Sequence, residues 1–224
     1  MRNKIFNCQL NLLVFLILLI SGCKQENTVT DIDGNVYRTI NIGTQVWLVE
    51  NLKVTHYRNG EPIPNITDNN TWRNLNTGAY SDYDNTPSNS DIYGKLYNWY
   101  AVNNSNCLCP KGWHVPTDNE WTKLTDYLGG EDLSGGMLKE SGTTHWSNSN
   151  VGATNKTGFT ALPGGNRDLE GKFDFIKDGG FWWSSTEHDD YGTWLRYIHY
   201  SNSEMLSYLH SKTHGFSVRC IKDK

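Results

Sequence analysis

The side chains whose positions most suggest a chemical role in this sequence are aromatic. Six rings fall on or beside neighbouring segments predicted to be strands: Trp182, Trp183, Trp194, Tyr197, Tyr200 and Tyr208. Exposed aromatic rings can stack on sugar faces or anchor a protein partner. The candidate ligand-binding residues are therefore Trp182, Trp183, Trp194 and Tyr197. The alternative is that most of these rings form the core, because the sequence has few aliphatic residues to bury.

The remaining reactive side chains match no catalytic pattern. The seven histidines are scattered, and the sequence lacks both the His-Glu-x-x-His pattern of zinc peptidases and the Gly-x-Ser-x-Gly elbow of serine hydrolases. Residues 187–190 contain three acids, but acids within one loop are more often a solvated turn than a glycosidase pair. We interpret His114 as a hydrogen-bonded structural residue, and Arg167 and Arg219 as buried partners of acids. The sequence predicts no catalytic residue, no metal and no cofactor.

Cys23 is the predicted site of a covalent lipid. It follows a short positive start and nine consecutive apolar residues, 12–20. Nine residues are too few to cross a hydrocarbon core of about 30 Å as a helix. They predict a signal peptide over residues 1–22, and the Ile-Ser-Gly-Cys ending resembles a bacterial lipobox. The alternative is an ordinary signal peptide in which Cys23 occurs by chance.

Acylation of Cys23 predicts a permanent anchor in the lipid bilayer, because two or three acyl chains hold a protein stably. We expect an outer-membrane lipoprotein on either the periplasmic or the cell-surface face. Residues 23–27 form a short tether before the folded domain. Cleavage removes two basic residues and no acid, which changes the net charge from -4 to -6.

Three further cysteines remain after Cys8 leaves with the signal peptide. An oxidising compartment favours one disulfide and one spare thiol among Cys107, Cys109 and Cys220. We favour the pair Cys109 and Cys220, because Cys220 closes a predicted terminal strand that needs fastening. Cys107 remains an alternative partner. A zinc site from Cys107, Cys109 and His114 is disfavoured, because the spacing of structural zinc ligands is missing.

The composition excludes several protein classes. The chain has 224 residues, of which 37% are hydrophobic and 12% aromatic, with nine Trp, so intrinsic disorder is disfavoured. The mild acidity and the lack of a basic run exclude an electrostatic footprint for nucleic acid. The length is sufficient for a conventional core.

Hydrophobic periodicity predicts strands, two helices and many turns. The helices are expected over residues 94–103 and 117–128, the second with a capping box at Thr117 and Glu120. Asp-Gly and Asn-Gly pairs predict hairpins within residues 29–40 and 55–63. The later strands are predicted at residues 180–186, 193–200, 204–212 and 215–221. The second of these would place one face in the core and one aromatic face toward solvent. Residues 28–224 form one predicted domain.

Motifs spread over most of the chain resemble a known bacterial family. The motifs are Asn51-Leu52-Lys53, residues 57–64, Tyr93-Gly94-x-Leu96-Tyr97-Asn98-Trp99, Cys109-Pro110-x-Gly112-Trp113-His114-Val115-Pro116-Thr117, Glu120-Trp121, Phe181-Trp182-Trp183-Ser184-Ser185 and Gly215-Phe216-Ser217-Val218-Arg219-Cys220. In this order they closely resemble the Fibrobacter succinogenes major paralogous domain, which is known mostly from exported proteins and lipoproteins. The role of that family is largely undefined, so the resemblance implies a fold more than an activity.

Two of these motifs are also similar to formylglycine-generating-enzyme-like proteins. Residues 115–121 look like their Leu-Pro-Thr-x-x-Glu-Trp motif, and residues 215–220 look like their terminal Gly-Phe-Arg strand. This similarity implies a C-type-lectin-like α+β fold with two helices, short antiparallel strands and long loops. It does not carry their activity, because their copper site needs two C-terminal cysteines and this chain has only Cys220 there. A lectin calcium site is also unsupported, since Glu61-Pro62 is followed by Ile63 and no Trp-Asn-Asp triplet is present.

These features together predict a non-catalytic binding module of the cell envelope. Its expected ligand is a glycan or a protein, bound through the aromatic strands. The alternatives are an envelope enzyme acting on polysaccharide and a structural component of the surface.

Overall fold

The computed structural model describes residues 27–190 and 192–224. The predicted signal peptide, Cys8 and the predicted lipidation site Cys23 lie outside the described residues. Within the described part, no helix is both long enough and apolar enough to cross a membrane. The fold is mixed α+β, as predicted.

The described residues contain five α-helices where the sequence analysis expected two. They are α1 (Asn69–Arg73), α2 (Pro87–Tyr93), α3 (Trp99–Val102), α4 (Asp118–Tyr127) and α5 (Glu131–Leu138). The two predicted helices correspond to α3 and α4. Helix α4 begins with the predicted capping box, in which Thr117 and Glu120 each accept a hydrogen bond from the other's backbone N–H.

Helix α5 was not predicted because two glycines, Gly135 and Gly136, lie inside it. Glycine is a poor helix former, so residues 131–138 gave no helix signal after the predicted end of α4 at residue 128. Both positions require glycine because other backbone segments lie directly against the helix there. A Cβ at Gly135 would lie 2.1 Å from the carbonyl oxygen of Glu204, and one at Gly136 would lie 2.5 Å from that of Gly152. The glycines let the helix pack directly on neighbouring loops.

The first sheet has the strand order β1-β2-β3-β12-β6, and all its pairs are antiparallel. Its strands are β1 (Thr28–Thr30), β2 (Val36–Ile42), β3 (Gln45–Leu48), β6 (Trp113–His114) and β12 (Ile221–Lys222). The predicted hairpin at Asp33-Gly34 joins β1 to β2. Asp31 closes that turn by accepting hydrogen bonds from the backbone N–H groups of Asp33 and Asn35.

The predicted hairpin over residues 55–63 has its turn but no strand ladder. Gly60 takes a positive φ of 88°, as the Asn-Gly signal requires. Only one bridge forms beyond the turn, between His56 and Pro62. Proline has no N–H to donate, so the ladder cannot extend through it.

The second sheet positions the predicted aromatic residues. Its order is β11-β10-β9-β7-β8, with β7 and β9 parallel and the other pairs antiparallel. Its strands are β7 (Gly164–Arg167), β8 (Phe173–Ile176), β9 (Gly179–Glu187), β10 (Gly192–His199) and β11 (Leu206–Ser211). The predicted strands at 180–186, 193–200 and 204–212 correspond to β9, β10 and β11. A small third sheet pairs β4 (Tyr80–Ser81) with β5 (Leu96–Tyr97).

The second sheet separates two hydrophobic cores. Trp183 and Leu195 point into one core, together with residues of β3, β5 and α3. Trp182 and Ile198 point into the other, together with Trp121 of α4. The expectation of one core face and one exposed aromatic face was therefore wrong for the centre of this sheet, because both faces are covered.

The terminal segment, residues 215–221, is mostly not a strand. Residues 215–217 form isolated bridges to three different parts of the chain, and only Ile221–Lys222 enters a sheet. The predicted disulfide between Cys109 and Cys220 is confirmed. It ties the terminal segment to the residues that precede β6. Cys107 is the free cysteine among the described residues.

Candidate functional site

The structure does not bring the four predicted ligand-binding residues together. Trp182 and Trp183 are fully buried on opposite faces of β9, so their assignment as ligand contacts was wrong. Their indole N–H groups donate to Asn51 Oδ1 at 2.8 Å and to the Tyr97 carbonyl at 2.6 Å, respectively. Both side chains serve the cores, as the alternative interpretation of the sequence expected.

Trp194 and Tyr197 are half-buried and lie on opposite faces of β10. The Trp194 ring lies 5.5 Å from the ring of His188. His188 belongs to residues 187–190, which we call the acidic loop. Tyr197 pairs with Phe181 across the ladder to β9. Of the predicted set, Tyr197 alone belongs to a group of aromatic side chains that reaches the solvent at its ends.

That group, which we call the aromatic row, crosses the second sheet from β8 to β11. It consists of Phe175, Phe181, Tyr197 and Tyr208. Successive ring centroids lie 5.7, 4.5 and 6.1 Å apart in this order. These are the distances at which aromatic pairs attract one another. The four rings therefore form one continuous series of contacts.

The two ends of the aromatic row are open to solvent. Phe175 is 39% exposed and Tyr208 is 44% exposed, whereas Phe181 between them is 8% exposed. Phe181 also stacks on the fully buried Phe216 at 5.4 Å, which ties the row to the core. The row thus presents exposed rings on a rigid support.

Phe175 occupies an unusual backbone conformation. Its φ is 63°, a left-handed value that bulky side chains rarely adopt. A hydrogen bond from the Asp178 N–H to the Phe175 carbonyl closes the tight connection between β8 and β9. Residues held in such conformations cluster at functional sites. Sequence reasoning missed Phe175 because β8 was not predicted, although the alternating Phe173-Asp174-Phe175 followed by Asp178-Gly179 is a strand and turn signal.

The Tyr197 hydroxyl stays protonated over the physiological range. Burial, followed by the neighbouring Tyr208 and Asp178, raises its pKa to about 12. A neutral phenol both donates and accepts hydrogen bonds. The row therefore combines ring faces with neutral polar groups.

Two histidines lie behind the aromatic row. The rings of His210 and His214 are 4.7 Å apart, and both contact Phe216. Burial, followed by the charge of His210, lowers the pKa of His214 to about 4. Burial also lowers the pKa of His210, so both side chains are neutral at pH 7.

His114 has the structural role that the sequence predicted. Its Nε2 lies 3.0 Å from Glu120 Oε2, and its Nδ1 lies 2.6 Å from Asp223 Oδ1. Partial burial opposes protonation, but the hydrogen bonds and charges of the two carboxylates outweigh it and raise the pKa of His114. The pair of contacts joins the start of α4 to the end of the chain.

Arg167 and Arg219 are fully buried, as predicted, but the prediction that acids hold them was wrong. Arg219 donates to the carbonyl oxygens of Leu48 and Phe159 at 3.0 and 2.8 Å. Arg167 donates to backbone oxygens of residues 66, 67 and 171. Their donors are used within the fold, which leaves neither available for an anion.

The acidic loop is a solvated turn. Glu187 pairs with Lys212, and Asp189 accepts a hydrogen bond from the Gly192 N–H. Among residues 27–190 and 192–224, no cluster of three or more His, Cys, Asp or Glu is placed to hold a metal ion.

Comparison with known proteins gives one match. The family model described as the Fibrobacter succinogenes major domain matches residues 40–222. No curated protein and no solved structure matches the chain.

Proposed function

The chain belongs to the Fibrobacter succinogenes major domain family, and we propose that this member is a non-catalytic, glycan-binding lipoprotein of the cell envelope. The observation that carries the proposal is the aromatic row. Sugar rings present apolar C–H faces that stack on aromatic rings, and their hydroxyl groups bind neutral polar groups. The exposed Phe175 and Tyr208 supply the stacking surfaces, and the phenols of Tyr197 and Tyr208 supply hydrogen bonds.

A narrow strip suits a glycan better than a protein partner. Protein interfaces have a wide buried centre surrounded by a polar rim. Here the exposed rings stand at the two ends of the row, and Phe181 between them is buried. An extended saccharide can contact the two ends at once without needing a wide apolar patch.

The carboxylates next to the aromatic row support binding without turnover. A glycosidase needs two carboxyl groups on opposite sides of the scissile bond. Asp178 accepts a hydrogen bond from the Ser147 hydroxyl, and Asp174 accepts one from the Phe175 N–H. The Asp178 carboxylate is thereby tied to the loop at Ser147, and the Asp174 carboxylate is tied to the backbone of β8.

The proposal is tested by affinity electrophoresis of the purified protein in gels containing cell-wall and plant polysaccharides. We expect at least one polysaccharide to retard the protein, and Tyr208→Ala to weaken that binding about threefold to tenfold. Tyr127→Ala is the matched control, because Tyr127 is an exposed tyrosine on α4, outside the row. It should bind like the wild type.

Equal binding by the wild type and Tyr208→Ala would contradict the proposal. So would the release of reducing sugar ends from a polysaccharide by the purified protein, because that would make the envelope-enzyme alternative correct. Thermal unfolding of both variants shows whether the substitutions preserve the fold.

We propose the location from the sequence around Cys23. Acyl chains on this residue would place the domain at the outer membrane, facing either the periplasm or the outside. The finer fold assignment, a C-type-lectin-like core, also remains a proposal. It is supported by the short strands, the long irregular segments and the way β12 brings the end of the chain between β3 and β6. An experimental structure that superposes on no C-type-lectin-like domain would contradict it.

A further inference from the structure

A concave surface lies at α3, formed by residues outside the aromatic row. It is a cavity of about 360 Å³ between residues 76–78 and the helix with its following turn. Its lining includes Asn76, Trp99, Tyr100, Asn103, Asn104 and Ser105. A cavity of this size holds a small molecule but not a long chain.

The walls of this cavity are held in place by Asn98. Its side chain caps α3 by accepting from the Ala101 N–H at 3.1 Å, and it also accepts from the Ala79 N–H at 3.0 Å. The same amide donates to the Thr77 carbonyl at 2.8 Å. One buried side chain therefore fixes the loop relative to the helix. The cavity is formed in advance of any ligand, which lowers the entropic cost of binding.

The floor of the cavity is aromatic. Trp99 is 3% exposed and Tyr100 beside it is half-buried. Gly78 forms part of the wall, and a Cβ there would lie 2.0 Å from the hydroxyl oxygen of Tyr57. A side chain at this position would clash with Tyr57 and Ala101, so glycine is what lets the loop lie close against α3.

The rim of the cavity is polar and carries no formal charge. Asn76, Asn103 and Ser105 are exposed there, and within the described part of the chain their side chains make no hydrogen bond. Asn104, by contrast, accepts from the Asn106 N–H. Side-chain amides offer a donor and an acceptor each, and a sugar hydroxyl group both donates and accepts.

From these features we infer that the α3 cavity binds one neutral sugar residue. The half-buried Tyr100 ring contacts the apolar face of the sugar, and the amides of Asn76 and Asn103 bind its hydroxyl groups. Uronic acids and amino sugars bind less well, because no lining residue carries a charge and the Lys212 ammonium, 5.2 Å from the centroid of the Trp99 ring, is paired with Glu187. This inference does not rest on the aromatic row, since the two surfaces share no residue.

The test is an NMR titration of the purified protein with methyl glucoside and methyl galactoside. We expect the side-chain amide signals of Asn76 and Asn103 to shift on addition of at least one of them. Glucuronate and glucosamine should bind more weakly. Asn103→Ala and Tyr100→Leu should each weaken binding about fivefold or more. Asn70→Ala, which alters an exposed amide on α1, should bind like the wild type.

Three outcomes would overturn the inference. They are unshifted Asn76 and Asn103 signals at the highest soluble glycoside concentration, equal binding of charged and neutral sugars, and unchanged affinity in both variants. If Asn103→Ala disturbs the end of α3, Asn76→Ala tests the same rim from the loop. Retained polysaccharide binding in a variant of this cavity would leave the aromatic row as a separate site, so the two proposals fail independently.

Discussion

Three fully buried cations hold irregular segments of this protein through oxygen atoms other than carboxylates. Lys139, Arg167 and Arg219 form no ion pair within the described residues. The Lys139 ammonium donates to the carbonyls of Val151 and Asn202, each at 2.8 Å. One cation offers several donors, so it can satisfy several buried carbonyl groups that regular secondary structure would otherwise pair. Long loops are fixed in this way without added strands.

Replacing Arg219 should be costly for this reason. We expect Arg219→Met to lower the free energy of unfolding by about 3 kcal/mol or more, because the buried carbonyls of Leu48 and Phe159 lose their donor. Arg73→Met is the control. Arg73 forms a surface ion pair with Glu170, and such pairs contribute about 1 kcal/mol or less. Urea unfolding of both variants measures the difference, and equal losses would contradict the account of Arg219.

Because His214 is buried, we expect the protein to lose stability as the pH is lowered. Its pKa of about 4 lies below the ordinary value near 6.5. Between these values the unfolded chain binds a proton that the folded chain does not, so the free energy of unfolding falls as the pH falls. The full effect is about 3 kcal/mol.

His214→Gln isolates this contribution from that of the carboxylates. We expect the wild type to lose more stability than this variant when the pH is lowered from about 7.5 to about 4.5. Urea unfolding at a series of pH values measures both proteins. Parallel curves would show that His214 is protonated at its ordinary pKa in the folded state.

Among the helices, strands and turns, the sequence predicted those whose signals come from residues close together in the chain. Helix α4 has its capping box and a face of Trp121 and Leu124, so its start and end were predictable. The same holds for the turn at Asp33-Gly34. Helix α5 was not predictable, because its two glycines are explained only by contacts with residues 152 and 204, far along the chain.

Alternation of residue types alone could not predict whether both faces of β9 and β10 are buried. Alternation assigned side chains to two faces correctly, but it cannot tell whether a second core covers the other face. Trp182 and Trp183 are neighbours in sequence and lie in different cores. The candidate site was therefore predicted in part. Tyr197 was predicted as a ligand contact and Tyr208 was named only among the rings on the predicted strands, whereas Phe175 depended on a strand with a weak signal.

The disulfide links the segment before β6 to the segment before β12, which are 111 residues apart. On the chain-entropy account, a loop of this length contributes about 4 to 5 kcal/mol. We expect the double substitution of Cys109 and Cys220 by Ala to lower the free energy of unfolding by this order. Cys107→Ser should change it little.

Non-reducing peptide mapping checks the pairing itself. We expect one linked peptide that contains Cys109 and Cys220, and a free thiol at Cys107. A peptide that links Cys107 to Cys220 would contradict the pairing. Equal unfolding free energies for the wild type and the double variant would contradict the stabilising role.

In the molecule as a whole, most aromatic side chains are buried in two cores, one on either side of the second sheet. Eight of the nine Trp are buried, and Trp194 is the exception. Most rings are therefore structural, and the proposed glycan site uses the few rings that reach the solvent. A stable domain with an exposed aromatic row suits a protein that is held at a membrane and contacts polymers around it.

The anchor is tested by Cys23→Ser in the full chain. We expect the wild type to fractionate with the outer membrane and to incorporate labelled fatty acid. The variant should do neither, because it lacks the thiol that carries the lipid. Membrane attachment of the variant without lipid would contradict the proposed anchor.

The central claim is that the aromatic row contacts a glycan. The most direct measurement is NMR of the aromatic side chains during titration with an oligosaccharide from the polysaccharide that binds best. We predict that the ring signals of Phe175, Tyr197 and Tyr208 shift together, while the Tyr127 signal stays in place. Shifts confined to rings outside the row, or no shift in any ring of the row at saturation, would contradict the claim.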